Sequence, residues 1–401
     1  MTKNNYLDKN NKTIFYVTLV VSLLISSVFL FRVLTHGLNV WGDEIKYDIT
    51  GQVGDFIGGV VGTVLSGAGF YFLYMTLVAQ RESIIEQKKA FERERFESKF
   101  FELINLHKEN VNEMSYNKIK DTNDNPIEGR KVFNAINKEY VECLREVKRY
   151  SKIYGTKDFI RKEYKIFLEN LINKNDLKKI SIYDLAYIDI AYTIIYFGVT
   201  KDGEILVKNN FLRKYNDDFF YTLLRFIKLK PNLGYRDNTI AWNKFIALPI
   251  GELSIICDLL IKNKNNKLFQ YKIEGYDIIS NYQKIKFYGG HQHRLGHYYR
   301  HLFQTFKYLS LQKIFNTNEK YFFAKTLRAQ LSNYEQTLLF VNSISEFGFS
   351  WELFPETDDK GKELKLITTY QLIKNMSGKR VLDVDCQTFY KKVNFEFEKK
   401  Y

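Results

Sequence analysis

The sequence predicts a mainly α-helical protein. Its expected parts are a transmembrane hairpin of two helices (1–79), a long stalk helix (80–114) and a cytosolic all-helical domain (115–401) with little or no strand near the C-terminus. Two long uncharged apolar runs stand near the N-terminus. Downstream, apolar residues recur at the three- and four-residue spacing of one helix face. Four prolines in 401 residues and 16% aromatics are typical of long helices packed by large side chains.

The first predicted span covers residues 14–34. The run Ile14–Phe31 contains thirteen strongly apolar residues, whose insertion into a bilayer gains about 4–8 kcal/mol. A cleaved signal peptide is disfavoured, because the run is long, no small-residue cleavage site follows it, and a second apolar run comes next.

The second predicted span covers residues 56–78 and is rich in glycine. Gly58, Gly62 and Ser66 recur every four residues and form a ridge of small side chains, which lets another helix approach closely in lipid. The partner is either the first span of the same chain or a second copy in a homo-oligomer.

Charge predicts the orientation of the hairpin. Basic residues flank both outer ends of the spans, whereas the loop between them contains one lysine and several acids. The positive-inside rule therefore places the loop outside and both termini in the cytoplasm, with membrane lipid as a partner.

The remainder reads as helices joined by short polar turns. In the stalk, an apolar stripe from Phe96 onward includes His107, which is expected to be a satisfied core or boundary histidine. Further predicted helices are Val132–Tyr154, Lys157–Leu171, Ser181–Phe197, Asn210–Lys228, Ile250–Ile261, Gly275–Phe287, Phe303–Phe315 and Tyr321–Ile344; a strand is expected at Arg380–Asp385.

Composition limits the function classes. The net charge of +14 lies entirely in 81–401, because residues 1–80 hold five basic and five acidic side chains. This basic part suits an anionic partner such as nucleic acid or lipid headgroups, or is simply a solvated surface. Three distant cysteines without a CxxC pair indicate a reducing compartment. No phosphate-binding loop, GxSxG or HExxH motif is present, and no cofactor or metal is predicted.

The main chemical signal is a histidine cluster. Four of the six histidines fall within residues 291–301, and histidine is the side chain most easily poised between acid, base and metal ligand. On a helix, His293, His297 and His301 would share one face, with Arg294 about 100° away.

Three stretches carry a resemblance to a known family: Gly54–Gly59 with the second span and Phe96–Leu103; Gly290–Gln292 with Arg294–Gln304; and Leu327–Glu335. In these the chain resembles the phage abortive infection family, the AbiC-like membrane proteins of bacteria. The likeness frames a His/Arg-rich core at 285–345 and leaves 130–280 less tied to the family. It implies membrane-linked phage defence, in the bacterial inner membrane, that arrests or kills the infected cell. It supplies no catalytic mechanism.

One interpretation of the cluster is ribonuclease chemistry. Arg294 and His301 fit the loose R-x4–6-H pattern of HEPN-type ribonucleases, although Leu295 departs from its usual polar residue. His301, or His297, would move a proton while Arg294 stabilises phosphorane charge, with no metal.

The second interpretation is a zinc site built from histidines at i and i+4, completed by His291 or Glu335; the missing HExxH glutamate argues against hydrolytic zinc. The third is a structural or sensing seam in which Arg294 or Arg300 pairs with Glu335, because buried charges need partners. The seam would contain His291, His293, Arg300, Arg328, Asn333 and Glu335.

The function predicted from these observations is a membrane-anchored antiviral effector of phage defence, whose cytosolic domain senses infection. The alternative is a membrane-tethered, metal-independent HEPN-like ribonuclease using Arg294 and His301. Expected partners are lipid, a second copy through the spans or the cytosolic domain, and RNA or a phage component.

Overall fold

The computed structural model describes residues 2–35, 47–117, 126–155, 158–231, 236–263, 266, 271–278, 288–376, 378, 380–381 and 384–398. These divide into two compact units, Met1–Phe96 and Glu97–Tyr401, called the N-terminal and C-terminal units below. The architecture is mainly helical with minimal strand, which confirms the predicted fold class.

The N-terminal unit is built from helices with exposed apolar side chains. It contains α1 (Thr2–Thr35), α2 (Tyr47–Phe56), a π-helical turn (Ile57–Val61) and the first part of α3 (Gly62–Asn112). The ring of Phe29 in α1 stacks on Phe56 at a centroid distance of 4.0 Å. Phe31 and Phe70 are 68% and 74% exposed. A water-soluble unit would bury such side chains, so their exposure favours an apolar surrounding.

One helical run in this part is long and apolar enough to cross a membrane. It covers Gly51–Asn112, and its most apolar window has a mean hydropathy of 1.7 with no buried residue. A shorter apolar stretch, Tyr16–Arg32, lies in α1. Together they favour membrane association. On the predicted small-residue ridge, a Cβ at Gly58 would meet no described atom within 4 Å, and Ser66 is exposed.

In its described residues, the C-terminal unit begins with the end of α3 and contains twelve further helices and three small two-stranded antiparallel sheets, each called a hairpin below. The helices are α4 (Lys131–Tyr154), α5 (Lys162–Lys174), α6 (Ile182–Phe197), α7 (Lys201–Phe211), α8 (Asp217–Lys228), α9 (Arg236–Ala247), α10 (Ile250–Lys262), α11 (Gln292–Ser310), α12 (Thr317–Arg328), α13 (Asn333–Ser343), α14 (Leu366–Tyr370) and α15 (Cys386–Phe389). The hairpins pair β1 (Ser115–Tyr116) with β2 (Ile127–Glu128), β3 (Tyr271–Ile273) with β4 (Tyr276–Ile278), and β5 (Arg380–Val381) with β6 (Val384–Asp385). Two 3₁₀ turns complete the unit, Glu346–Trp351 and Glu396–Glu398.

The core lies where α4 packs on α6. Ile136, Tyr140, Cys143 and Val147 of α4 are fully buried, at the spacing that places them on one helix face. Helix α6 is buried almost all round, as its continuous apolar sequence predicts. Helices α8, α10 and α13 pack around this pair. The predicted helices over α4, α6 and α10 are therefore confirmed.

Five predicted helices were wrong in part. Two have shifted bounds: Lys157–Leu171 starts before α5, which begins at Lys162, and Phe303–Phe315 runs past the end of α11 at Ser310.

The other three differ in the number or type of element. Asn210–Lys228 contains the last two residues of α7 and all of α8. Within Gly275–Phe287, residues 276–278 form strand β4, and 279–287 lie outside the described residues. Tyr321–Ile344 is also two helices, α12 and α13.

A capping box at the start of α13 causes the break between α12 and α13. Ser332 is the N-cap of α13: its Oγ accepts from the Glu335 N–H at 3.3 Å, and the Ser332 N–H donates to Glu335 Oε2 at 2.7 Å. This Ser-x-x-Glu signature of a helix start is present in the sequence. Arg328 and Glu335 consequently lie on different helices, not on one polar face.

The start of α11 is held against the end of α6 by a close backbone approach. Gly290 has φ +89°, and a Cβ there would lie 2.4 Å from the Phe197 carbonyl oxygen. The His291 N–H donates to the carbonyls of Ile195 and Tyr196 at 3.1 and 2.9 Å. Only glycine fits both the backbone angle and the space, so Gly290 fixes where the histidine helix begins.

We expect Gly290→Ala to lower the free energy of unfolding by about 2 kcal/mol or more, because alanine adds left-handed strain and a backbone clash. Urea unfolding of the full chain in detergent, followed by circular dichroism, measures it. Gly289→Ala is the matched control, since a Cβ there meets open space. Equal effects of the two substitutions would contradict the role given to Gly290.

Candidate functional site

The histidine cluster lies on α11, as the sequence predicts. The helix buries one side, and the exposed side carries His293 and His297. The cluster residues fall into different environments: His291 is buried at the N-cap, His301 is partly buried, and Arg294 lies between them at the surface of the unit.

His291 is a positioning residue. Its Nδ1 lies 3.3 Å from Arg294 Nη1, and its Nε2 lies 3.0 Å from Glu139 Oε2 of α4. A guanidinium can only donate, so Nδ1 accepts and Nε2 carries the proton that goes to the carboxylate. The Tyr116 hydroxyl of β1 donates to the other oxygen of Glu139. Both nitrogens of His291 therefore have hydrogen-bond partners, which fix the orientation of its ring.

Arg294 is oriented by three neighbours. Its Nε donates to the Ser115 carbonyl at 2.7 Å, its plane lies 5.0 Å from the centroid of the Tyr116 ring, and His291 accepts from Nη1. Within the described residues it has no carboxylate at ion-pair distance. Burial lowers the pKa of the guanidinium, and the field of Glu139 acts against that shift. The result is a fixed cation that forms no ion pair with a carboxylate of the described residues.

A pocket of about 350 Å³ opens beside this cation. It is lined by Asn110, Glu113, Met114, Ser115, His293, Arg294, His297 and Tyr298. The first turn of α11 has no acidic residue, although acids are the stabilising choice at the positive end of a helix. Burial and the charge of Arg294 lower the pKa of His293. Apart from Glu113, the lining favours an anion.

His301 lies elsewhere, against His107 near the end of α3. The two rings stack with centroids 6.3 Å apart, and no nitrogen of either ring has a hydrogen-bond partner among the described residues. His107 is 1% exposed. It is a core histidine, as expected, but its ring nitrogens lack the expected hydrogen bonds within the described residues. Burial, and then the charges of His301 and Arg130, lower the pKa of His107 to about 4. Burial also lowers the pKa of His301.

Glu335 contacts the histidine helix through a hydrogen bond from Tyr298. The carboxylate is fully buried, accepts from the Tyr298 hydroxyl at 3.0 Å, and lies 3.9 Å from Arg130 Nε. The expected pairing with Arg294 or Arg300 does not occur in the part of the chain that the structure describes.

The other residues of the predicted seam are separate from the cluster. Arg328 donates to the carbonyls of Tyr370 and Gln371 at 2.9 and 3.1 Å, holding the end of α14. Asn333 is exposed at the start of α13, and Arg300 lies in a second pocket beside α11. These residues therefore do not form one continuous seam.

Sequence reasoning missed Glu139, Tyr116 and Arg130, the partners that other elements bring to α11. Glu139 had a readable signal, because it interrupts the apolar face of α4 and a buried acid there requires a partner. Among the described residues, no group of three or more His, Cys, Asp or Glu side chains is arranged to hold a metal ion.

The chain is thus a mainly helical protein with an apolar helix that favours membrane association and a basic, histidine-bearing helix in its C-terminal unit. Residues 290–381 match the family model described as "Putative phage abortive infection protein". The predicted resemblance is confirmed over this segment, which begins at Gly290 and includes α11, and it supports a role in phage defence. No curated protein and no solved structure matches the chain.

We expect the C-terminal unit to lose stability as the pH falls. The folded pKa of His107, about 4, is below the unfolded value near 6.5. The unfolded state therefore takes up the proton first, so stability is retained above pH 6.5 and lost between pH 6.5 and 4. The loss from pH 7.5 to 5 is about 2 kcal/mol. The field at His107 also includes His301 and Arg130.

Urea midpoints of the full chain in detergent, measured across this range, test the prediction. His107→Leu removes the titrating group and should flatten the pH dependence. Identical pH dependence of wild type and variant would show that His107 is not the source.

Proposed function

We propose that this protein is a membrane-anchored effector of bacterial abortive infection. Its C-terminal unit, in the cytosol, senses infection, and its membrane helices then arrest or kill the host cell. In this proposal α1 and the run from α2 into α3 both cross the inner membrane, and both termini lie in the cytoplasm. Copies assemble through the small-residue ridge or through the cytosolic unit, with lipid as the surrounding partner.

The observation that carries the proposal is the composition of α3. This single helix contains the exposed apolar segment of the N-terminal unit and, near its other end, His107 buried beside His301 of α11. Helix α11 lies in the segment that matches the abortive infection family. A movement of α11 would therefore act directly on α3, the helix that also supplies the membrane segment.

The pocket beside Arg294 is the sensing site in this proposal. A fixed guanidinium, which has no carboxylate partner among the described residues, and two nearby imidazoles suit an anionic trigger, such as RNA or an acidic phage component. Binding there would shift Arg294 and, through its hydrogen bond to the Ser115 carbonyl, the strand β1. Strand β1 is the element that follows α3 in the chain.

A ribonuclease is the second candidate, favoured by one observation. Arg294 and His297 line the same pocket, where the cation would stabilise phosphoryl charge and the exposed imidazole would transfer a proton. His301 does not line that pocket. It lies two turns from Arg294 along the helix, roughly 10 Å. In this arrangement His297, rather than His301, takes the catalytic role.

The two candidates separate in infected cells that carry the full chain. We expect Gly62→Leu to abolish growth arrest and membrane depolarisation, because leucine obstructs close helix approach. Gly67→Leu, on the opposite helix face and in open space, is the control. A potential-sensitive dye and total RNA integrity are followed in the same culture.

Degraded RNA in cells that keep their membrane potential, with degradation lost in His297→Ala, would replace the effector proposal with the ribonuclease. Arrest unaffected by Gly62→Leu would remove the ridge from the mechanism.

A further inference from the structure

We propose that a second pocket, on the other side of α11, binds a nucleotide, with its base on an aromatic surface and its phosphate on Arg300. This pocket of about 250 Å³ is separate from the one beside Arg294, so the proposal does not depend on the sensing role given above. Its principal walls are Tyr196, Gly296, Tyr299, Arg300, Phe347 and Trp351.

The pocket exists because α11 carries a glycine, Gly296, in its second turn. A Cβ at Gly296 would lie 2.8 Å from the Tyr196 hydroxyl, so any larger residue displaces that ring. A mid-helix glycine is unfavourable for the helix itself, and a sequence that retains one has a reason outside the helix. Here the reason is the space between α11 and the end of α6.

The aromatic surface is ordered and partly accessible. The Tyr196 ring lies 4.8 Å from Phe347, tilted by 31°, and 6.0 Å from Tyr192, nearly parallel to it. Phe347 is 37% exposed, although phenylalanine is normally buried. An exposed ring backed by a row of other rings offers a face on which a nucleobase stacks, and such stacking tolerates any base.

The charge of the site is positive and unopposed within the pocket. Arg300 is exposed, and no acidic side chain lines the pocket. Arg300 and Tyr196 line the same pocket. Burial raises the pKa of Tyr196, and the positive charge of Arg300 acts against that shift. An exposed arginine at the rim suits a phosphate.

The polar inner wall distinguishes this pocket from an apolar groove. The Asn342 amide is occupied, since it donates to Tyr192 and accepts from Trp351 Nε1. By contrast, the Tyr299 hydroxyl is buried and has no hydrogen-bond partner among the described residues. A buried hydroxyl without a partner is unfavourable, and an acceptor on the ligand would supply one. The volume lies just below the roughly 300 Å³ of typical ligand pockets, which suits a single nucleotide, either free or as one unit of a strand.

The test is calorimetric titration of the full chain in detergent. The probes are the four ribonucleoside 5′-monophosphates, adenosine, ribose 5-phosphate and a single-stranded oligoadenylate. We expect adenosine 5′-monophosphate to bind at least about tenfold more tightly than adenosine or ribose 5-phosphate, because each of those lacks one half of the recognised group. Binding of the oligonucleotide with no binding of monophosphates would identify single-stranded nucleic acid as the source of the nucleotide.

Two variants separate the contributions. Arg300→Gln should weaken monophosphate or oligonucleotide binding about tenfold and leave adenosine unchanged, whereas Phe347→Ala should weaken every probe that carries a base. Matched controls are Arg225→Gln and Phe322→Ala, exposed residues on α8 and α12, and thermal midpoints confirm folding. No binding of any nucleotide or oligonucleotide, or binding that ignores both pocket variants, would overturn the proposal.

Discussion

The carboxylate of Glu139 has no access to water, and the elements around it are arranged to supply its hydrogen bonds. An unpaired buried charge is costly, so a partner must come from somewhere in the fold. Tyr116 of β1 binds one oxygen and His291 at the start of α11 binds the other. Through His291 the same carboxylate orients Arg294. One acid on α4 therefore fixes the end of the α3–β1 segment, the start of the histidine helix and the direction of its cation.

Two properties of α11 oppose stability, which favours a functional role for this helix. Its positive end carries basic side chains where acids would be favourable, and His301 packs on His107 with four ring nitrogens that lack hydrogen-bond partners among the described residues. Functional sites are where sequences depart from what local stability favours. The departures lie on two sides of one helix, with a pocket on each side, so the ligands proposed for the two pockets would act on the same helix.

Much of the fold could be predicted from the periodicity of apolar residues in the sequence. Where that prediction was wrong, the cause is local. The helices α4, α6 and α10 were predictable because their apolar patterns are long and regular. The division of 321–344 into α12 and α13 was missed, because the apolar spacing continues through the break between them. The break is caused by the Ser332–Glu335 capping box, which starts a new helix. For the site, helical spacing alone placed His293 and His297 together. It also suggested one polar seam. That prediction was wrong, because Arg328 donates its hydrogen bonds to carbonyls at the end of α14.

The sequence by itself determined the helical class, the apolar runs that favour a membrane, the basic C-terminal part and the gathering of four histidines on one helix, because these depend on neighbours within a few residues. Only the tertiary structure decided what each histidine does. His291 meets a carboxylate 152 positions away in the chain, His301 meets a ring of α3, and His293 and His297 remain at a pocket. Helical spacing assigns residues to a face, but the partner of each face is chosen by packing between elements distant in sequence.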